Sequence, residues 1–224
     1  MTTEIGYSIT QSAAFLAGVY RESVNLCNLL KQQISSVLLD AELKKIYKAA
    51  GPWAETFQED PSGCMYYSLG ASLPLIRRPK HKPGSHLLFQ ISLAGDGTAA
   101  SGCSEPLLHI GLWDEPISFS QGYYMGFPLF GEDEIEPVVE DGVLMRWPSV
   151  GPDELWLYSL RLSEMNTTGD IQHKVVNPIR GLLLGAPAVV ALPSSLRGIA
   201  GYTALCEPKG QFSIDFNDSS RRSA

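Results

Sequence analysis

The hydrophobic positions of this chain change their period near residue 51. Before that point apolar residues recur at steps of three and four, as on one face of a helix. Gly51 and Pro52 then form a stop signal, since glycine suits the position after a helix and proline cannot continue one. The pattern predicts a helical segment over residues 8–50, either one long helix or two nearly collinear ones. Its apolar stripe consists of Ile9, Ala13, Leu16, Tyr20, Val24, Cys27, Leu30, Ile34, Val37 and Ala41.

Beyond the helical segment, apolar and polar positions alternate, which is the period of a β-strand with one buried face. Residues 86–94 show this most clearly, with Leu87, Phe89 and Ile91 on one side and Gln90 on the other. The connections between such segments are rich in glycine and proline and too short for parallel crossovers, so antiparallel neighbours are expected. The predicted strands cover residues 64–75, 86–94, 106–113, 143–147, 155–162 and 211–216.

The remaining segments complete a single α+β domain. Residues 175–185 and 194–206 predict short C-terminal helices, and the polar residues 219–224 predict a frayed tail. The expected fold is a long N-terminal helical segment packed on an antiparallel sheet of about six strands, with one or two short C-terminal helices. The predicted domain spans residues 1–218, helical over 8–50 and sheet-rich over 64–216.

Composition and charge restrict the class of protein. A chain with 44% hydrophobic and 18% charged residues is globular, and a net charge of -7 argues against a general nucleic-acid binder. Residues 1–10 lack the basic residues and apolar run of a targeting peptide. The most apolar stretch, 182–192, is about half as long as a membrane span. These features predict a cytoplasmic protein without membrane association, and the four widely spaced cysteines predict buried thiols.

The chain carries none of the common catalytic or cofactor motifs. It has no Gly-x-Ser-x-Gly elbow, no His-Glu-x-x-His or paired Cys-x-x-Cys spacing, and no Walker lysine. Residues 95–102 are rich in glycine, but no amphipathic helix follows to present its amides to a phosphate. We therefore predict no cofactor, no metal site and no catalytic residue.

One segment combines aromatic and acidic residues, as protein-recognition surfaces do. Aromatic residues crowd positions 122–130, and six carboxylates follow over 132–141, where a cationic partner would relieve their repulsion. This predicts a non-catalytic interaction module, such as an inhibitor, adaptor or immunity-type protein, that binds a partner with a basic surface. Alternatively, the aromatics close the edge of the core and the acids keep the loop soluble. The predicted partner-binding residues are Tyr123, Tyr124, Phe127, Glu132, Asp133, Glu134 and Glu136.

The polar positions of the strands predict an alternative site. Tyr66, Gln90, His109, Trp113 and Arg161 would share the sheet face opposite the helix, where they could hold a small polar ligand. The protein would then be an enzyme or a ligand-binding domain, with His109 as general base or anchor. The competing interpretation is that the C-terminal helices cover this face and His109 is a satisfied core residue.

A second alternative rests on the basic loop at residues 77–82. Arg77, Arg78, Lys80 and Lys82 could attach the protein to a nucleic-acid complex, although four cations on an acidic chain release few counterions. A solvated loop is the simpler interpretation.

The helical stripe also predicts an assembly surface. It is long for a domain of this size, so part of it should overhang the core. The stripe over residues 9–41 could pack on its own sheet or pair with a second copy as a homodimer.

Overall fold

The computed structural model describes residues 2–94, 105–120, 123–127, 137–147, 154–205 and 212–216, with the backbone alone at 2–4 and 123–124. The glycine-rich residues 95–102, the acidic residues 132–136 and the tail 219–224 lie outside these ranges. The helices are α1 (Thr2–Val37), α2 (Leu43–Ile46), α3 (Thr168–Ile171), α4 (Asn177–Leu183) and α5 (Ala188–Ala191), and a π-helical segment, Gln172–Val176, joins α3 to α4. The strands are β1 (Tyr47–Ala49), β2 (Ala54–Glu59), β3 (Tyr66–Arg77), β4 (Ser85–Ser92), β5 (Leu107–Trp113), β6 (Ser118–Ser120), β7 (Tyr123–Met125), β8 (Val138–Glu140), β9 (Leu144–Trp147), β10 (Leu155–Arg161), β11 (Ala200–Ala204) and β12 (Phe212–Phe216).

The main sheet has eight strands in the order β1-β3-β4-β5-β10-β9-β8, and β2 also pairs with β3. Every one of these pairs is antiparallel, which confirms the predicted α+β class. The strands of this sheet that the sequence did not predict are β1, β2 and β8. Of these, β1 and β8 have three residues each, too few for an alternating pattern to stand out. Two further hairpins, β6–β7 and β11–β12, lie outside the main sheet.

The N-terminal helix is confirmed, but it ends at Val37 instead of near Gly51. The side chain of Asp40 accepts hydrogen bonds from the backbone N–H groups of Glu42 and Leu43, so the chain turns and restarts as the short helix α2. The next residues form β1, which pairs with the end of β3. The apolar steps over 38–50 therefore belong to a turn, a helical turn and an edge strand.

The C-terminal half of α1 is anchored on one face of the sheet. Leu30, Ile34 and Val37 are buried against a core that includes Phe89 and Ile110 of the central strands. The indole N–H of Trp53 donates to Ser35 Oγ at 3.0 Å, and Lys31 forms an ion pair with Glu55 of β2. Helices α3 to α5 share this face, where Ile171, Val175, Ile179, Leu182 and Ala188 join the same core.

The opposite face of the sheet is covered by the two hairpins. Leu88 and Leu157 of the sheet pack with Phe127 next to β7 and with Tyr202 and Ile214 of β11–β12 in a second core. The expectation that C-terminal helices cover this face is therefore wrong, because those helices lie beside α1. Residues 194–206, predicted as a helix, contain β11 instead, whose antiparallel pairing with β12 satisfies its backbone groups. The molecule thus has three layers, with helices, sheet and hairpins in that order.

Candidate functional site

Gln90 of the predicted ligand site is a buried structural residue. Its Nε2 donates to the carbonyl oxygen of Phe127 at 2.7 Å and to Ser92 Oγ at 2.8 Å. Its Oε1 accepts the backbone N–H of Phe127 at 2.8 Å. The amide therefore holds the chain after β7 against the sheet, in the way a neighbouring strand would.

His109 lies in a second buried polar group beneath the β11–β12 hairpin. Its Nδ1 is 2.6 Å from Ser159 Oγ on the neighbouring strand, and the Tyr202 hydroxyl donates to the same Ser159 oxygen. His109 and Ser159 have no exposed surface, and Tyr202 is 5% exposed. This geometry favours the interpretation of His109 as a satisfied core side chain.

Tyr66 does not share a face with His109, so that part of the predicted site is wrong. A β-bulge shifts the register of β2 and β3 between Gln58 and Glu59, and Glu59 pairs with Tyr66 directly after Gln58 pairs with Ser68. The bulge reverses the direction of Tyr66 relative to simple alternation. Its ring stacks on Tyr20 of α1 with centroids 5.2 Å apart, on the helix-covered face.

Trp113 and Arg161 are on the hairpin-covered face, but each is engaged with its neighbours. Trp113 packs edge-on against Phe127 and Trp147. Arg161 Nε lies 2.6 Å from a carboxylate oxygen of Glu105, and its guanidinium lies 4.2 Å from the centre of the Phe216 ring. Together with the burial of Gln90 and His109, these contacts do not support a common ligand pocket.

The acidic–aromatic segment is described only in part. Phe127 is 1% exposed and belongs to the second core, so its side chain offers no surface to a partner. Tyr123 and Tyr124 lie in β7, whose backbone pairs with β6. Binding of a basic partner through the carboxylates at 132–136 stays a prediction.

The basic loop connects β3 to β4. Arg77 is half-buried, with its guanidinium 6.0 Å from the centre of the Tyr47 ring. Arg78, Lys80 and Lys82 are exposed. This placement agrees with a solvated loop, and contact with nucleic acid stays a prediction.

The N-terminal half of α1 is the most unusual surface of the described chain. Residues 5–17 are exposed throughout, while Leu30, Ile34 and Val37 further along the same helix are buried. No charged residue occurs between Glu4 and Arg21. We call residues 5–20 the overhang. Its exposed large side chains are Ile5 (60%), Tyr7 (66%), Ile9 (65%), Phe15 (71%), Leu16 (42%) and Tyr20 (45%).

A groove of about 430 Å³ lies at the base of the overhang. One wall is α1, with Ala13, Leu16 and Tyr20, and the other is the turn between β2 and β3 together with Leu93 after β4. Exposed Phe57 adds a third ring to the stacked pair of Tyr20 and Tyr66, since its ring centroid is 5.5 Å from that of Tyr66. The groove and the stripe of the overhang are therefore one continuous apolar surface.

Asp60 shapes the far wall of this groove. Its carboxylate accepts the backbone N–H groups of Ser62, Cys64 and Met65 at 2.6–3.0 Å. Hydrogen bonds from the Ser62 side chain and from the backbone lower the pKa of Asp60 to about 2. Gly63 takes a φ of +68°, which glycine adopts without strain.

One of the two cysteines in this region differs from the expected buried thiols. Cys64 is exposed and lines the groove. Cys27 lies on α1 where burial raises the pKa of its thiol to about 12, which keeps the thiol protonated and unreactive at neutral pH.

Replacement of Asp60 by asparagine should lower stability at neutral pH. It should also reduce the loss of stability that occurs when the pH is lowered. The depressed pKa means that the Asp60 carboxylate stabilises the fold above its unfolded pKa of about 3.9 and loses this effect as pH falls towards about 2. Urea unfolding midpoints at pH 7 and pH 3 measure both effects. Asp114→Asn, in the exposed turn after β5, is the matched control. An equal pH dependence in wild type and Asp60→Asn would contradict the assignment.

The described ranges contain no group of three or more His, Cys, Asp or Glu residues that could hold a metal ion. None of the helices described in this chain is long and apolar enough to cross a membrane. Comparison of the chain with models of protein families, with curated proteins and with solved structures finds no match.

Proposed function

We propose that this protein is a non-catalytic interaction module that docks an apolar helical partner along the overhang of α1. The observation that carries the proposal is the exposure of the apolar stripe at residues 5–20, in line with the stripe that is buried further along the same helix. Contiguous exposed apolar surface of this kind marks interaction sites in proteins of this size.

The chemistry of the overhang defines the partner. Without a charged residue, the overhang attracts neither a basic nor an acidic surface, so the contact depends on apolar burial. Burial of one aliphatic side chain such as Leu16 contributes about 1.5–3 kcal/mol. A narrow stripe beside a groove fits another helix, whose side chains can pack between those of α1.

A membrane surface is a poorer fit for the same helix. Helices that lie in the membrane interface carry lysine and arginine on their polar face, where they attract anionic lipids. The polar positions of the overhang are serine, threonine and glutamine instead. Within the predicted range of inhibitors, adaptors and immunity-type proteins, this surface supports an adaptor best, in the predicted cytoplasmic compartment.

A photo-crosslinking amino acid at position 16 tests this function in cells that produce the full chain. We expect an adduct of increased mass, because Leu16 lies on the stripe and lines the groove. Position 11 is the matched control, since it lies on the same overhang roughly opposite the stripe at about 100° per residue. Equal or absent adducts at the two positions would contradict the proposal.

A further inference from the structure

Building on the proposed function, we infer that the helical partner is the overhang of a second copy of this chain, packed antiparallel about a two-fold axis near residues 12 and 13. The stripe and the groove each support this arrangement independently.

The stripe is complementary to itself when one copy is reversed. With the axis between residues 12 and 13, Ile5 faces Tyr20 of the other copy and Ile9 faces its Leu16. A two-fold contact requires this reciprocity. If residue i of one copy contacts residue j of the other, residue j of the first copy also contacts residue i of the second. Ala13, next to the axis, permits close approach of the two backbones.

A parallel pair conflicts with the fold. The stripe beyond Ser23 is already occupied by the sheet and by the C-terminal helices of the same chain. A parallel partner helix would continue along that stripe and enter this occupied space. The helix of an antiparallel partner ends at the groove, because its N-terminal turn lies there. The folded domain of that partner lies at the opposite end of the overhang.

The groove has the position that the partner's first turns require. Residues 5 and 20 are about 22 Å apart along the helix at 1.5 Å per residue. The N-terminal turn of one copy therefore lies level with Tyr20 of the other, where Leu16, Tyr66, Met65 and Leu93 line the groove. One occupant thus covers both the stripe and the groove.

The molar mass of the full chain in solution tests the dimer. We expect sedimentation equilibrium to show a dimer for wild type and for Gln11→Glu, and a monomer for Leu16→Glu. A buried carboxylate in an apolar helix contact should weaken dimerisation by about 100-fold or more. Leu16 is 42% exposed in the single chain, so its replacement should leave the fold of the monomer intact. The helical circular dichroism and the unfolding midpoint of wild type and variant, compared at equal low concentration, check this. A monomeric wild type at about 100 μM, or equal weakening by Gln11→Glu, would overturn the inference.

Disulfide trapping tests the orientation. A background with Cys64→Ser, Cys103→Ser and Cys206→Ser leaves the half-buried Cys27 as the only native thiol. Ala13→Cys should then link to a second copy of itself, because its Cα lies near the axis and a disulfide needs a Cα separation of about 4.4–6.8 Å. Ile5→Cys should link to Tyr20→Cys in a mixture but not to itself. Self-linking of Ile5→Cys without the mixed product would indicate a parallel pair and contradict the register.

The outcomes separate this inference from the proposed function. If position 16 crosslinks to a different protein while the purified chain is monomeric, the interaction module stands and the homodimer is wrong. If position 16 gives no adduct and the chain is monomeric, both are wrong. Binding of the monomer to neutral lipid vesicles, abolished by Leu16→Glu, would also overturn the homodimer and assign the overhang to a membrane surface.

Discussion

Replacement of Gln90 by leucine is expected to destabilise the fold by about 2–5 kcal/mol, although the two side chains are similar in size. The substitution leaves both the N–H and the carbonyl of Phe127 without the amide that they bond. Phe127 is 1% exposed, so water cannot replace those bonds, and each stranded buried group costs about 1–3 kcal/mol. Urea unfolding followed by tryptophan fluorescence measures the change.

Ser92→Ala is the control for this experiment. It removes one hydrogen-bond acceptor of Gln90 but leaves both bonds to Phe127, so a smaller loss of about 1 kcal/mol is expected. A Gln90→Leu protein as stable as wild type would show that the chain after β7 does not depend on this amide.

Replacement of Ser159 by alanine should cost about 2–4 kcal/mol, because one hydroxyl serves two buried partners. Ser159 Oγ contacts His109 Nδ1 at 2.6 Å and accepts the hydroxyl of Tyr202, which belongs to the β11–β12 hairpin. Hydrogen exchange should show the hairpin opening more readily in the variant, with the central strands changed less.

Tyr202→Phe provides the matched comparison for Ser159→Ala. It removes a single hydroxyl and keeps the ring packed against Phe212, so we expect about 1 kcal/mol. If Tyr202→Phe is as costly as Ser159→Ala, the contact between His109 and Ser159 contributes nothing.

The central strands could be predicted from the sequence because each has a strict alternation with one strongly apolar side. The covering of the opposite sheet face by the two hairpins could not be predicted from the sequence. A period of two distinguishes polar from apolar positions, but Gln90 and Ser159 are polar and have no exposed surface. Their burial depends on hairpins that lie far away in the sequence, so local patterns carry no signal for it.

The errors at the ends of elements have local physical causes. Apolar steps continue past Val37, but Asp40 captures the backbone N–H groups of a new turn, and β3 offers an edge to the next residues. The predicted sheet face of Tyr66 was wrong because a β-bulge changes which face the residues on either side of it point to. Neither the capping contact nor the bulge changes the hydrophobic pattern itself.

The candidate surface was partly visible in the sequence. The stripe and the overhang follow from a helical pattern that is long for a domain of this size, and the absence of charge between Glu4 and Arg21 can be read directly. The point along the helix where burial begins could not be predicted, because the apolar stripe continues from Tyr20 to Val24 and Cys27 with the same spacing. Only the position of the sheet shows which half is covered.

A homodimer through the exposed half of α1 would also reverse the usual relation between concentration and solubility. For most proteins a concentrated solution is the one in which apolar surfaces meet and precipitate. If the overhang is covered by a second copy, mass action covers it more completely as the concentration rises. Ile5, Ile9 and Leu16 are then exposed to water mainly in dilute solution. The fraction of protein lost to vessel walls and to immobilised chaperones should therefore be greatest in the most dilute samples.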